Sequence, residues 1–125
     1  MARILIVDDS PTEMHKLTDM LKKHGHEVLK AVNGADGVAL ARLEKPDAVL
    51  MDIVMPGLNG FQATRQLTKD PETRHIPVII VTTKDQETDK VWGTRQGARD
   101  YLTKPVEESA LIKTLMAVLD TKPSQ

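Results

Sequence analysis

The chain has no cysteine among its 125 residues, which excludes disulfides and thiol chemistry and leaves the compartment to be argued from other features. Aromatic side chains are scarce: one Trp, one Tyr and one Phe. Long apolar runs are lacking as well. The N-terminal run, Ile4-Leu5-Ile6-Val7, stops at Asp8-Asp9, too soon for a signal peptide and far short of the ~20 residues that a spanning helix needs. No excess of one charge is present either. Lys and Arg number 17 against 18 Asp and Glu, a net charge of -1, without the basic patch or stripe that marks a nucleic-acid footprint. These absences predict a cytoplasmic protein with no membrane insertion and no nucleic-acid partner. There is no repeat, low-complexity segment or linker, and 125 residues fit a single domain burying about two-thirds of its unfolded surface, without room for an output domain.

What the chain does have is acid where apolar runs stop. Asp8 and Asp9 end Ile4-Leu5-Ile6-Val7, and Asp52 ends Ala48-Val49-Leu50-Met51. Val78-Ile79-Ile80-Val81 ends in Thr82-Thr83, and a shorter run at Tyr101-Leu102 ends in Thr103-Lys104-Pro105. Runs that are short, β-branched and apolar on successive residues read as parallel strands covered on both faces. In open α/β sheets ligands bind beyond the carboxyl ends of the strands, so Asp8, Asp9, Asp52, Thr82 and Lys104 are expected to converge. Two like charges ~4 Å apart repel by roughly 4 kcal/mol at an effective dielectric of about 20. Three carboxylates thus exceed what a single lysine neutralises. Oxygen donors without nearby Cys or His point to a hard cation such as Mg2+, completed by a phosphoryl group. One carboxylate can then serve as a nucleophile, giving an aspartyl-phosphate. Taken singly, each acid is equally well read as a loop cap.

Between the runs lie helix signals. Ser10-Pro11-Thr12-Glu13 is a capping box with proline at the first helical position, opening a helix to about His24 with Leu17, Met20 and Leu21 inward. Val28-Leu29 form a short second strand. Asn33-Gly34 opens a helix that ends at Lys45-Pro46, and Asn59 caps one from Gly60 to about Thr68. A fourth helix is expected from Asp85 to Gln96, and a fifth from Glu107 to Leu119 with Leu111, Ile112, Leu115, Met116 and Leu119 inward. The alternation predicts an α/β fold: five βα units in a doubly wound parallel sheet. Residues 121–125 are expected to fray.

The set Asp8-Asp9, Asp52 followed by Met55-Pro56-Gly57, Thr82, and Lys104-Pro105 resembles the receiver domain of two-component response regulators. The resemblance spans roughly residues 3 to 120, which gives a single CheY-like receiver domain over 1–120. The stretch Val81-Thr82-Thr83-Lys84-Asp85-Gln86-Glu87-Thr88-Asp89-Lys90-Val91-Trp92 is most similar to PilH-type receivers of type IV pilus chemosensory pathways, which act in twitching motility. The receiver resemblance implies a flavodoxin-like sheet of order 2-1-3-4-5. It also implies that Asp52 accepts the phosphoryl group and that Asp9, Asp52 and the Val54 carbonyl bind Mg2+, with Mn2+ as the alternative ion and Asp8 acting through water. Lys104, before a cis Pro105, and Thr82 contact the phosphoryl oxygens, and Thr82 with Tyr101 forms the switch. The implied partners are a sensor histidine kinase or histidine phosphotransfer domain, and a downstream protein read by the fourth helix, fifth strand and fifth helix of a monomer. Self-catalysed phosphoryl chemistry would be its only reaction.

Two positions depart from some relatives. Val54, two after the acceptor, offers nothing to orient a hydrolytic water, and Lys84, two after Thr82, is cationic. Rival classes fit less well. An aspartate-nucleophile phosphatase would carry a second Asp two residues after the first, where Ser10 stands. An FMN carrier needs a hydroxyl- and glycine-rich phosphate loop, which Asp8-Asp9 would repel. Trp92, in a charged helix interrupted by Gly93, reads either as a partner contact or as core or rim packing, and that helix is the expected mobile element. His24-Gly25-His26 is better read as a favourable helix end than as a metal site. Phe61 and the methionines are expected in the core.

Overall fold

A computed structural model describes residues 1–120. The elements alternate without exception: β1 Arg3–Val7, α1 Pro11–Lys23, β2 Glu27–Ala31, α2 Gly34–Glu44, β3 Ala48–Met51, α3 Gly60–Lys69, β4 Val78–Thr82, α4 Glu87–Arg95, β5 Asp100–Thr103 and α5 Glu108–Asp120. All strand pairs are parallel, in the order β2-β1-β3-β4-β5. The expected fold is thus present, while the tail at 121–125 lies outside the described residues.

The sheet explains the apolar runs. Every residue of β3 and β4, and Ile4 to Val7 of β1, is buried, because successive side chains point to opposite faces and both faces are covered. Ile4, Ile6, Leu50, Ile79 and Val81 pack with Leu17 and Leu21 of α1 and with Leu111, Leu115 and Val118 of α5. Leu5, Val7, Val49, Met51 and Val78 pack with Val38 and Ala41 of α2 and with Ala63 and Leu67 of α3. α4 differs. Its sole buried residue is Gly93, where an added Cβ would lie 2.8 Å from Ile80 Cδ1 and 3.3 Å from Tyr101 Cδ2. Glycine there weakens the helix by ~1 kcal/mol but lets it lie directly on the sheet.

Strand ends are flush where the site needs them. Val7 is in register with Met51, Met51 with Ile80, and Thr82 with Thr103. The ladder continues one step further. Asp52 N–H donates to the Val7 carbonyl at 3.0 Å, Asp8 N–H to Ala31 at 3.1 Å, and Lys104 N–H to Thr82 at 2.8 Å. Those bonds fix the backbone of the acidic and basic residues to the sheet itself. Ser10 caps α1, Asn33 caps α2, and Asn59 with Gln62 forms a full capping box on α3.

Several local expectations need correction. β2 runs from Glu27 to Ala31 rather than over Val28-Leu29, since all five residues pair with β1. α4 begins at Glu87 and not Asp85, where the Asp89 carboxylate accepts from the Gln86 amide at 3.3 Å. Met116 is 55% exposed, because the inward stripe of α5 is Leu111, Leu115 and Val118, one helical face to which residue 116 does not belong. Met14, Met51 and Met55 are in the core, whereas Met1 is exposed and Phe61 is half-buried at the rim.

Gly60 also has no room for a side chain: a Cβ would stand 2.0 Å from the Asp52 carbonyl oxygen. Backbone on both sides cannot yield, so Gly60→Ala should lose about 3 kcal/mol of stability in urea unfolding. A loss below ~1 kcal/mol would show that this loop is free to shift.

Candidate functional site

At the carboxyl end of the sheet the charges come together. Asp8, Asp9 and Asp52 each offer a carboxylate oxygen, and these oxygens lie within 4.8 Å of one another. Asp8 and Asp52 are buried, while Asp9 is exposed. Lys104 reaches in from the end of β5. Its Nζ lies 2.8 Å from Asp8 Oδ2 and 3.3 Å from Asp52 Oδ2, with the lysine side chain only 7% exposed. Burial alone would lower the lysine pKa, but the bond to Asp8 and the fields of Asp52 and Asp8 outweigh it and hold the value above the usual one. The remaining carboxylate oxygens are held by backbone. Asp8 Oδ1 accepts from the Ser10 amide at 2.9 Å, and Asp52 Oδ1 from the Val54 amide at 3.3 Å. The Lys104–Pro105 bond is cis.

Charge is not balanced here. Three carboxylates gather around one buried ammonium, and Asp9 forms no ion pair among the described residues. The donor set is all oxygen, so the site fits a hard cation and not a thiolate or imidazole metal. A cleft lined by Asp8, Asp9, Pro11, Met14, His15 and Lys30 opens directly onto it.

Thr82 is the second unsettled group. It is fully buried at the end of β4, and its Oγ1, like those of the buried Thr18 and Thr64 away from the strand ends, has no hydrogen-bond partner among the described residues. Leaving a hydroxyl so costs about 1–3 kcal/mol, and such a group in a native fold calls for a reason. Tyr101, across from Ile80 in the register, is half-buried and donates its hydroxyl to the Lys84 carbonyl at 2.7 Å. Burial, then the charges of Asp89, Asp85 and Asp52, push its phenol up to about 12.

All five residues singled out by the sequence are thus at one end of the sheet. Trp92 is elsewhere: 48% exposed, it packs edge-to-face on Phe61 of α3, centroids 6.5 Å apart and planes at 80°. Rim packing is seen, and it leaves about half of the residue at the surface. His24 joins α1 to α5 through Glu108, 2.9 Å away, and bonds from His24 and Lys23 hold the Glu108 carboxyl below its ordinary pKa. His26 accepts from the Ala2 amide, so neither histidine belongs to the acidic group. Sequence reasoning missed the Phe61–Trp92 contact and the use of Gly93 as a point of close approach. The glycine inside a helical pattern was the signal available for the second.

Comparison with known proteins agrees with this geometry. The family model for the response regulator receiver domain matches residues 4–116. Protein PilH of Pseudomonas aeruginosa is 85% identical over 119 residues, covering 95% of this chain and 98% of that protein. Among solved structures, the receiver domain of the Pseudomonas aeruginosa sensor histidine kinase PA1611, with a magnesium ion coordinated in its active-site cleft, is similar at a TM-score of 0.89 and 30% identity, over 96% of this chain and 98% of that one. Vibrio cholerae chemotaxis protein CheY4 is similar at 0.88 and 30%, over 94% and 98%.

Two outcomes follow from the electrostatics. Without divalent ions, Asp8→Ala should lower unfolding stability by about 2 kcal/mol, because it takes a carboxylate from a buried ammonium. Asp9→Ala should raise stability by relieving repulsion, and the reverse ranking in urea unfolding would contradict the charge argument. Tyr101 is the chain's one tyrosine, so its absorbance reports it directly. The folded state keeps a proton that the unfolded chain releases near pH 10, so the phenol should titrate at about 12 and the fold should lose stability as pH rises from 10 to 12. A folded-state midpoint near 10 would contradict the burial.

Proposed function

The chain belongs to the response regulator receiver family, and we propose that it works as a stand-alone, phospho-accepting receiver of a two-component phosphorelay. One observation carries the reading: a buried aspartate at a strand end, Asp52, faces a buried lysine side chain and lies at the same end of the sheet as the Thr82 hydroxyl, which has no partner among the described residues. Together these are an acceptor, a charge for the incoming group and a donor with nothing yet to bind.

The donor is a phosphohistidine of a sensor kinase or a histidine phosphotransfer domain. Asp52 Oδ attacks phosphorus, the P–N bond breaks, its electron pair stays on the imidazole nitrogen, and that nitrogen takes a proton from solvent. Such transfer depends on positioning and charge neutralisation more than on covalent machinery. The Val54 amide orients the Asp52 carboxylate, and Lys104 stays close enough to move onto a phosphoryl oxygen. Asp8, Asp9, Asp52 and the Val54 carbonyl would hold the divalent ion, Mg2+ with Mn2+ as the alternative. When bound, the ion would neutralise the phosphoryl oxygens and the unpaired Asp9 carboxylate. Thr82 then donates its hydroxyl to the phosphoryl group, and Tyr101 gives up the Lys84 carbonyl as the loop between β4 and α4 moves.

In this reading the protein does chemistry only on itself and acts as a cytoplasmic monomer. No helix among the described residues is long and apolar enough to cross a membrane. It signals through α4, β5 and α5 to a protein target. Val54 is 52% exposed at the mouth of the site and holds no water by hydrogen bond, so the phosphorylated form is long-lived. Likeness to PilH supports extending the reading to type IV pilus chemosensory signalling and twitching motility.

Intact-mass spectrometry after incubation with acetyl phosphate tests the assignment. Wild type should gain one phosphoryl group only when Mg2+ is present, and Asp52→Asn should gain none. An equal adduct on both proteins would reject Asp52 as the acceptor.

A further inference from the structure

The acidic site reaches α4 by a route other than Thr82 and Tyr101. Gly60, the first residue of α3, has its Cα against the Asp52 carbonyl, and its amide donates to Ile53 at 3.1 Å. The start of α3 is therefore bonded to Ile53, the residue after the acceptor, and packed closely against the acceptor's own carbonyl. Phe61 comes next, and its ring meets Trp92 of α4 edge-on. Gly93 follows Trp92 and is where α4 touches Ile80 and Tyr101. An unbroken line of contact thus runs from Asp52 through Gly60, Phe61, Trp92 and Gly93 to Tyr101.

The two helices are also clamped at their far ends. Thr68 Oγ1 donates to the Gln96 carbonyl at 2.7 Å, Gln96 is buried, and Gly97 lies so close on Thr68 that a Cβ would be 2.7 Å from it. By contrast residues 83–88, leading into α4, are all exposed. α4 is clamped at its C-terminal end, while the exposed approach to its N-terminal end is held from the sheet by the Tyr101 hydroxyl on the Lys84 carbonyl, with the aromatic pair roughly 6 Å along the axis from the clamp.

We propose that Phe61 and Trp92 form a coupling pair: α4 pivots on the Thr68–Gln96 clamp, and the pair passes to it the change made at Asp52. The proposal rests on the phospho-acceptor reading above. An edge-to-face pair changes an equilibrium by roughly two- to tenfold, and its dependence on ring angle makes it sensitive to tilt of the helix. Coupling is reciprocal, so a contact made in one arrangement of α4 and lost in the other must alter the affinity of the site for a phosphoryl mimic.

The test uses beryllofluoride with Mg2+, its binding followed by the fluorine resonance of the bound species, in wild type, Phe61→Leu, Phe61→Tyr and Trp92→Leu, each confirmed folded by thermal unfolding. Phe61→Leu and Trp92→Leu should each shift the half-saturating concentration by about threefold or more, and Phe61→Leu should at least halve the Trp92 emission change on binding. Phe61→Tyr, which keeps the ring, should match wild type. Unchanged affinity in both leucine variants, with normal wild-type binding, would overturn the coupling pair and leave the phospho-acceptor reading standing. Wild type that binds no beryllofluoride would overturn both.

Discussion

A lysine ammonium held between two buried carboxylates is the interaction on which the rest of the site depends. At the 2.8 and 3.3 Å separations from Lys104 to Asp8 and Asp52, each attraction is worth roughly 5 kcal/mol at an effective dielectric of about 20, before desolvation. Removing such charges from water costs several kcal/mol per ion, so the group is close to balance rather than strongly stabilising. Asp9 tips it toward excess negative charge. An arrangement near balance, with one carboxylate unpaired, takes up a hard cation and an anionic group together more readily than either alone.

The sheet makes that group rigid, and α4 makes its consequences mobile. Asp8, Asp52 and Lys104 are each tied by backbone bonds to a neighbouring strand, so their side chains start from fixed points. α4 has no buried side chain and touches the sheet through Gly93. Elements with few apolar anchors open and shift at low free energy. A change in what binds at the strand ends therefore finds little resistance in α4, and much in α1 and α5, which carry the leucines of one face of the core.

Much of this was legible in the chain. Doubly buried strands leave no polar residue until they end, so the first polar residues after Val7, Met51 and Val81 mark the functional end of the sheet. Receiver-like spacing then gave Thr82, Lys104 and Tyr101 their places. What sequence could not give was direction within helices that lack a clear stripe. Met116 belongs to a helix rich in apolar residues on more than one face, so periodicity placed it inward, and the packing chose Val118. Trp92 stands in a helix whose charge pattern gives no face at all, and only the approach of α3 shows that it meets Phe61. The orphaned hydroxyl of Thr82 was also invisible, since a threonine at a strand end is ordinary and its lack of a partner is a property of the folded molecule.

That hydroxyl gives the most direct test of the account. A crystal structure of the protein with Mg2+ and beryllofluoride should show beryllium bonded to an Asp52 carboxylate oxygen, with Thr82 Oγ1 hydrogen-bonded to one fluoride and Lys104 Nζ to another. Beryllofluoride bound at Asp52 while the Thr82 hydroxyl stays without a partner, or an adduct on Asp8 or Asp9 instead, would contradict it.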